Sequence, residues 1–368
     1  MVKITDIVPA DLLQSELENG YVRFQTHPEN NDLRIYGYTE KTQFEKHWNP
    51  ATINLRGLIA DAEGNVRARP WKKFFNYGEG RLYINDDQPV EVTDKMDGSL
   101  GILYPQSFLV DLKTVDGEVV KELVPCDWAI ATRGSFDSDQ ARHANKVWQD
   151  RYTGVAVNPD YTFLFEIIYP ANRIVCNYHG LDDLVLLGAV HVSRGYYLGP
   201  YEAAGILGWT GPVTEVFSYK TLNEAFAAAP RENAEGYVVR SGTEMVKIKQ
   251  VDYVELHRVV TNLNPRTVWL QLGEGETIAS ICEKIPDEFH QFVTEVGTKL
   301  KEDFSKIEEE ALADYQQIVY DLGPNFERKD FAALAYKSKY KAYMFSLLDG
   351  KMIDGAIWQS LRPSLEKV

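Results

Sequence analysis

Two different periodicities divide this sequence, and the point where one replaces the other is the strongest constraint on the fold. From about residue 20 to 255, short runs of β-branched and aromatic residues alternate with turn signals such as DAEGNV and VSRGYYLG, which indicates strands joined by hairpins. After about residue 262, apolar residues recur three and four positions apart, as in FVTEVGTKLKEDF, which is typical of amphipathic helices. A fold made of one sheet or one helical bundle is therefore excluded.

The length supports two domains. The chain has 368 residues, more than twice the roughly 150 of a typical domain. Helical patterns such as DSDQARHANKVWQDRY lie among the predicted strands, which favours an α+β fold. The helix breaker NLNPR places a boundary near residues 258–264. We predict a strand-rich domain over residues 1–260 and a mainly α-helical C-terminal domain over residues 261–368.

Charge and composition narrow the class of partner. The 39 basic and 54 acidic residues give a net charge of −15, so any nucleic-acid site must be a local basic cleft. The three cysteines form no CxxC pair, which argues against a zinc knuckle. The first residues lack the apolar core of a secretory signal, and no segment approaches about 18 uninterrupted apolar residues. We expect a cytoplasmic protein without a membrane partner.

The motif KMDGSLG is the sharpest local feature. Lys95 precedes a turn made by Asp97 and Gly98, and an apolar run follows. A lysine at the end of a strand can point into a cleft. The alternative is a solvated lysine in a hairpin, which is the more common situation for this pattern alone.

Three further strand patterns carry charged residues. In TFLFEIIYP, Glu166 lies on an apolar strand and needs a cation, a hydroxyl or a ligand, with a buried structural salt bridge as the alternative. In EMVKIKQ, Lys247 and Lys249 share a strand face and predict an anion, with a solvated edge strand as the alternative. In AEGYVVR, Glu235 and Gly236 open a strand that can present a carboxylate at the same cleft.

The C-terminal stretch AYKSKYKAY also combines charge with aromatic residues. On a helix, Lys337 and Lys341 would lie one turn apart, together with Tyr336 and Tyr340. Such a strip can bind RNA through phosphate attraction and stacking. We favour the alternative, in which the tyrosines pack against the preceding helix beside solvated lysines.

Taken in order, KMDGS, FLFEIIY, EGYVV and VKIK resemble the motifs of the covalent nucleotidyltransferases, which include RNA ligases, DNA ligases and capping enzymes. The sequence is most similar to the phage-type RNA ligase 1 family, the ATP-dependent ligases of T-even phages and relatives, through RIYGY, LRGLIA, RPWKKFFNYGE and YPANRIV. The likeness runs from about residue 34 to 257. It implies that the first domain is an adenylyltransferase domain in which helices flank antiparallel sheets.

The resemblance also implies a role for individual residues. Lys95 matches the nucleophile that becomes adenylylated, Gly98 matches the glycine after it, and Glu235 matches the carboxylate linked to the metal. Where the family often has a lysine, this chain has Arg133, which keeps the charge but changes the contact geometry. Glu276 is only a tentative counterpart of an acidic residue in the family's helical domain, and we leave it outside the site. The expected nucleotide-binding residues are Tyr38, Arg56, Lys73, Phe75, Arg133, Glu166, Lys247, Lys249 and Tyr253.

These matches imply an ATP-dependent RNA ligase that uses Mg²⁺, or Mn²⁺ in its place. It would join a 5′-phosphate to a 3′-hydroxyl through a lysyl-AMP and an adenylylated RNA, for example in a cleaved tRNA whose ends separate kinase and phosphatase enzymes have healed. A DNA ligase or a capping enzyme is disfavoured because those usually carry a β-barrel after the last lysine motif. An RNA-binding module whose catalysis has lapsed is the alternative from another class.

The proposed chemistry makes a demand on Lys95. A free lysine has a pKa of about 10.4, and its amine is nucleophilic only when neutral. We expect the neighbouring cations Lys247, Lys249, Lys73 and Arg56 to lower the Lys95 pKa and to neutralise the triphosphate.

Overall fold

The computed structural model describes residues 1–79, 84–85, 88–115, 118–251, 253–254, 263–283, 285 and 289–363, without the side chains of residues 109–123. The chain forms two compact units, Met1–Val260 and Thr261–Val368. The first combines helices with largely antiparallel sheets, and the described part of the second is helical, which confirms the α+β fold class. The boundary predicted near residues 258–264 falls partly on residues 258–262, which lie outside the described residues.

The strands of the first unit form sheets of the order β1-β2-β3-β4, β11-β10-β9-β7-β8 and β12-β6-β13-β14-β5. Neighbouring strands run antiparallel, whereas the short strand β5 pairs parallel with β14. In chain order the strands are β1 (Val22–Thr26), β2 (Leu33–Tyr38), β3 (Arg56–Asp61), β4 (Val66–Ala68), β5 (Phe75–Asn76), β6 (Glu91–Asp94), β7 (Ser99–Val115), β8 (Glu118–Ala131), β9 (Tyr161–Ile168), β10 (Asp183–His191), β11 (Tyr197–Leu198), β12 (Val216–Phe217), β13 (Gly236–Ser241) and β14 (Glu244–Lys249).

The helices follow the predicted change of periodicity. Those of the first unit are α1 (Ile4–Ile7), α2 (Ala10–Glu18), α3 (Glu40–Phe44), α4 (Pro50–Asn54), α5 (Asp139–Arg151), α6 (Pro200–Leu207) and α7 (Leu222–Phe226). Those of the second unit are α8 (Pro265–Gly273), α9 (Ile278–Glu283), α10 (His290–Leu322), α11 (Arg328–Ala335), α12 (Lys341–Leu348) and α13 (Asp354–Ser360). Within the described ranges, no helix is both long enough and apolar enough to span a bilayer.

Strand β9 is buried on both faces, which explains its nearly continuous apolar sequence. On one face Phe165 packs in a cluster with Trp148 of α5. On the other face Leu164 packs with Ile102 of β7 in a second cluster. Glu166 therefore lies within a strand that the core surrounds. Its carboxylate is shielded from water and needs hydrogen bonds or opposite charges from neighbouring residues instead.

The second unit has its own core, in which Ala311, Phe331, Met344 and Ile357 are buried in one apolar cluster. The AYKSKYKAY stretch does not form one helix, because α11 ends at Ala335 and α12 begins at Lys341. The Ser338 hydroxyl accepts the N–H of Tyr340 at 2.9 Å, a local bond that competes with helical pairing. The stretch therefore provides no single helix for a basic strip, and the favoured packing of the tyrosines holds for Tyr340, which is buried in this cluster, but not for the exposed Tyr336.

Candidate active site

The turn that follows Lys95 is fixed by a buried carboxylate. Asp97 Oδ2 accepts the backbone N–H groups of Val175 at 2.9 Å and Cys176 at 2.8 Å. Asp97 Oδ1 accepts the Tyr253 hydroxyl at 2.8 Å. Donors from two distant segments thus satisfy the charge of Asp97, which gives the lysine a fixed platform. The sequence pattern indicated only a turn at Asp97, and the family resemblance implied a nucleotide contact at Tyr253.

Gly98 occupies a position that has no room for a side chain. A Cβ atom there would lie 2.6 Å from Ile168 Cδ1 and 2.7 Å from the carbonyl oxygen of Ile167. The close approach lets the Gly98 N–H donate to Glu166 Oε1 at 2.9 Å. Burial raises the pKa of the Glu166 carboxyl to about 8, although the charge of Lys95 acts in the opposite direction. The glycine of the motif is therefore required by its contact with β9.

This shifted pKa predicts a pH-dependent effect of Glu166→Gln. Folding favours the protonated carboxyl, so wild-type stability should fall as the pH rises from about 4.5 towards 8. Glutamine keeps an oxygen for the Gly98 N–H and cannot ionise. We expect the stability of the variant relative to wild type to increase by on the order of 2 kcal/mol between pH 5 and 8. Thermal denaturation across this range measures the effect.

The matched control for that measurement is Glu18→Gln, which alters an exposed carboxylate at the end of α2. Its stability difference from wild type should change little over the same pH range. A Glu166→Gln difference that is equally flat would show that Glu166 is ionised in the folded protein at pH 5, contrary to its burial.

Lys95, Glu235 and Lys249 form the centre of the site. Glu235 Oε1 lies 2.7 Å from Lys95 Nζ and 3.2 Å from Lys249 Nζ. The three side chains are only 18%, 4% and 8% exposed, so their charges interact with little screening by solvent. The strands β13 and β14, which pair Gly236 with Lys249, bring the carboxylate and the second lysine together.

The electrostatics of Lys95 differ from the expectation. Burial acts to lower the Lys95 pKa, but the neighbouring carboxylates, above all Glu235, outweigh it and leave the pKa above its ordinary value. The prediction that nearby cations lower this pKa is therefore wrong for this arrangement. It failed because Glu235 is in direct contact with the ammonium, which an ordering of motifs along the chain does not reveal.

Lys73 is enclosed by three aromatic rings. Its Nζ lies 5.9 Å from the ring centre of Tyr38, 5.4 Å from that of Trp48 and 5.2 Å from that of Phe75. Arg133 approaches the same group and donates from Nη1 to the Tyr38 hydroxyl at 2.8 Å. Rings of this kind stabilise a buried cation through their negative faces. The structure thus brings together four of the predicted nucleotide-binding residues and adds Trp48.

The ring of Phe74, next to Lys73 in the chain, contacts two more of the predicted cations, one of them on strand β14. The Phe74 ring is contacted by Arg56 at 5.6 Å and by Lys247 at 5.4 Å. Strand β14 lies between β13 and β5, so the alternative of a solvated edge strand is wrong. The cations of both groups thus contact the segment of residues 73–75. A protein of net charge −15 would need a local concentration of positive charge of this kind to hold an anion.

Comparison with known proteins identifies the family. A family model described as RNA ligase matches residues 54–253, more than half of the chain. The chain belongs to this RNA ligase family. This match confirms the similarity to phage-type RNA ligases. It also confirms the assignment to the ligases of the nucleotidyltransferase class. The matched range of this RNA ligase contains every predicted site residue except Tyr38, and the role of each residue stays a prediction.

Two phage proteins are similar in sequence. The RNA ligase of Rhodothermus phage RM378 is 24% identical over 384 residues, which cover 87% of this chain and 85% of that protein. RNA ligase 1 of Bacteriophage TS2126 is 24% identical over 245 residues, which cover 60% of this chain and 55% of that protein.

Solved structures of RNA ligases are more distant. An archaeal ATP-dependent RNA ligase is 13% identical with a TM-score of 0.39, and the match covers 73% of this chain and 66% of that chain. The Naegleria gruberi RNA ligase with PPi is 18% identical with a TM-score of 0.33, covering 47% and 53%. This chain thus spans about half the length of the Naegleria protein.

Sequence reasoning missed three contributors to the site of this RNA ligase. Asp97 lies inside the KMDGS motif, but its spacing predicted a turn and gave no sign of a buried anchor. Trp48, which contacts Lys73, and Arg231, which donates to Asp94 Oδ1 next to Lys95, lie in stretches without a recognised motif and contact residues that are distant in sequence. A tryptophan or arginine near an apolar strand is too common to identify such a contact.

Proposed function

We propose that this member of the RNA ligase family is an ATP-dependent enzyme that joins 5′-phosphate and 3′-hydroxyl ends of RNA. The observation that carries the proposal is the placement of Lys95, a largely buried lysine 2.7 Å from Glu235 on a turn that Asp97 anchors. A surface lysine whose only role is to keep the protein soluble does not require such an arrangement. A nucleophile does, since its nitrogen must be held at one position relative to the reacting phosphorus.

The reaction has three steps. The neutral Lys95 nitrogen attacks the α-phosphorus of ATP, a nitrogen–phosphorus bond forms, and the bond to the leaving pyrophosphate breaks. The AMP group then passes from Lys95 to the RNA 5′-phosphate, which restores the free lysine. Finally the 3′-hydroxyl attacks that activated phosphate, loses its proton and displaces AMP, so that a phosphodiester bond joins the two ends.

The first step requires Lys95 to lose a proton, which passes to solvent water. Glu235 stabilises the charged ammonium, so the contact between Lys95 and Glu235 must be given up before attack. Lys249 shares the same Glu235 oxygen and can retain the carboxylate when Lys95 leaves it. We therefore assign Glu235 the role of holding the lysine and its proton in place until the nucleotide is bound.

The remaining cations suit the triphosphate. Arg56 and Lys247 flank Phe74, and Lys73 lies among rings beside Arg133. We propose that these four side chains and Lys249 bind the phosphates and stabilise the charge that develops on the leaving pyrophosphate. Tyr38 and Phe75 orient Lys73, and Glu166, whose pKa is raised, can donate a hydrogen bond to the nucleoside.

The donor set fits a metal that the nucleotide helps to bind. Within the described residues, no group of three or more His, Cys, Asp or Glu side chains is arranged to hold a metal ion. Mg²⁺ in nucleotide enzymes usually takes one or two carboxylates and completes its shell with phosphate oxygens and water. Glu235 is the carboxylate that would contribute, and Mg²⁺ or Mn²⁺ would neutralise charge on the phosphates. Glu276 bonds to Ser280 within the second unit and stays outside this proposal.

The substrate and setting are further proposals. The resemblance to phage tRNA-repair ligases supports a cleaved tRNA as the RNA, with separate enzymes that heal its ends. We place the reaction in the cytoplasm, which is the host cytoplasm if the protein is viral. The described part of the second unit is helical and lacks strands, which disfavours the DNA ligase and capping alternatives.

One experiment separates these functions. The full chain is incubated with Mg²⁺ and ATP labelled on the α-phosphate, and then with RNA that carries a 5′-phosphate and a 3′-hydroxyl. We expect a protein–AMP adduct that denaturation does not remove, followed by joined RNA. Adduct with GTP alone would support a capping enzyme, and joining restricted to nicked DNA would support a DNA ligase. Absence of any adduct would support the lapsed RNA-binding module.

A further inference from the structure

One arginine outside the predicted site connects the two segments that carry Lys95 and Glu235. Arg231 Nη2 lies 2.6 Å from Asp94 Oδ1, in the residue that precedes Lys95. The same nitrogen donates at 2.5 Å to the carbonyl oxygen of Gly236, in the residue that follows Glu235. The backbone N–H of Lys95 donates to that carbonyl oxygen at 3.1 Å. Arg231 therefore joins the end of β6 to the start of β13 beside the lysine–carboxylate pair.

The orientation of the arginine is fixed by its surroundings. Its guanidinium lies 4.6 Å from the ring centre of Phe217 and 4.5 Å from that of Tyr237. The side chain is 23% exposed and its partner Asp94 is 20% exposed, so the ion pair is largely shielded from solvent. A planar guanidinium can stack on rings while it donates in its plane, which an ammonium cannot do.

Gln250 also forms hydrogen bonds with the backbone of residues 231–235, the segment that carries Arg231 and Glu235. Its Nε2 donates to the carbonyl oxygens of Arg231 at 3.0 Å and Ala234 at 2.7 Å, and its Oε1 accepts the Arg231 N–H. Its own N–H donates to the carbonyl oxygen of Glu235 at 3.0 Å. Gln250 directly follows Lys249, so these bonds tie the backbone of Glu235 to the second lysine of the site.

The start of β13 is tightly packed against β14. Gly236 has a φ of 151°, in the region that favours glycine, and a Cβ atom there would overlap the carbonyl oxygen of Ile248. The residue that follows Glu235 is therefore both tightly packed against β14 and hydrogen-bonded to Arg231. A shift of this backbone would move the carboxylate relative to Lys95 and Lys249 together.

We propose that Arg231 is a positioning residue for adenylyl transfer, which fixes the backbones of Lys95 and Glu235 so that the ammonium and the carboxylate meet in one geometry. The inference rests on the proposed function, since it concerns the rate of the first step. Misplacement of reacting groups by about 1 Å can slow a reaction roughly 100-fold, so a side chain without substrate contact can have a large effect on rate.

The chain provides a matched control. Arg240 Nη2 lies 2.8 Å from Glu91 Oε1, and the two residues are directly opposite each other on β13 and β6. Their side chains are 16% and 30% exposed, similar to Arg231 and Asp94. This ion pair connects the same two strands, but at the end of β13 that is remote from Glu235. Arg240→Met therefore removes a comparable cross-strand ion pair without touching the lysine segment.

The test compares Arg231→Met and Arg240→Met in the full chain. For each we measure the single-turnover rate of adduct formation at saturating ATP and Mg²⁺, the ATP affinity and the thermal stability. We expect Arg231→Met to slow adduct formation about 10- to 100-fold, with ATP affinity within about 3-fold of wild type. Arg240→Met should keep the rate within about 3-fold of wild type even where its stability falls.

Two further variants keep the proposal testable if Arg231→Met does not fold. Arg231→Lys keeps the charge and loses the stacked plane, so it should recover part of the rate. Asp94→Asn removes the ion pair, and its effect should be markedly non-additive with that of Arg231→Met. If Arg231→Met is insoluble, a wild-type rate in both of these variants would overturn the proposal.

The possible failures are distinct. If wild type forms the adduct and Arg231→Met forms it at the same rate per folded molecule, the positioning role is wrong and the proposed function stands. Equal slowing in Arg231→Met and Arg240→Met would also overturn the proposal, because general support of the sheet would explain both. If wild type forms no adduct, the proposed function fails and this inference fails with it.

Discussion

Lys95→Ala is expected to abolish the covalent protein–AMP adduct and the joining of unactivated RNA. The proposed phosphoramide bond needs the Lys95 nitrogen, and Lys249, another lysine of the described site, is engaged by the same oxygen of Glu235. We expect the rate of adduct formation to fall by more than about 10⁴-fold. Joining of RNA that has been adenylylated beforehand should survive in part, because that step does not pass through the lysine.

The adduct is measured with ATP labelled on the α-phosphate, and the modified residue is located by peptide mapping. Lys299→Ala provides the control, since Lys299 is exposed on α10 and no role is assigned to it. An adduct of normal yield in Lys95→Ala, mapped to another lysine, would refute the assignment of the nucleophile. Loss of the joining of pre-adenylylated RNA to the same extent would indicate a damaged fold.

The second large effect is expected at Lys247 and Lys249. The two ammonium groups project from one face of β14, where Lys247 lies over Phe74 and Lys249 contacts Glu235. Alanine at either position should slow adduct formation about 10²- to 10³-fold, because a preorganised charge is lost from the site where pyrophosphate leaves. The double variant should lose less than the product of the single losses, since both act on one anion.

The control for these variants is Lys72→Ala. Lys72 Nζ lies 2.5 Å from Glu244 Oε1, so it pairs with the first residue of the same strand, and its side chain is 28% exposed. A partly exposed pair of this kind contributes little to stability, and its loss should leave the rate within about 2-fold. Single variants of Lys247 and Lys249 with rates as high as that of Lys72→Ala would remove both lysines from the proposed phosphate site.

Local signals in the sequence were sufficient where a residue's position depends on its neighbours in the chain. The turn residues of KMDGSLG place Lys95 after β6, and the alternation in EMVKIKQ places Lys247 and Lys249 on one face of β14. The helix considered for AYKSKYKAY is interrupted because a serine side chain competes with helical pairing, which apolar spacing does not reveal.

Local sequence patterns could not predict contacts between segments that are distant in the sequence. The sequence patterns predicted that Glu235 and Lys95 reach the same cleft but not that the two side chains touch, and the predicted sign of the Lys95 pKa shift was therefore wrong. The same is true of Arg231, which is 137 residues from its partner Asp94. In each case the contact exists only because β6, β13 and β14 are neighbours in one sheet, a pairing that hydrophobic patterns alone do not determine.

The anchoring of the nucleophile turn has a consequence for how the enzyme is made. Asp97 depends on the hydroxyl of Tyr253, which is synthesised 156 residues later. At 5 to 20 residues per second, a ribosome needs roughly 8 to 30 seconds to cover that distance, and Tyr253 must then clear the exit tunnel. During this interval the nascent chain already carries Lys95 but lacks the support of its turn. If Lys95 is adenylylated as proposed, the chain becomes competent for this reaction only after almost the whole first unit has been made.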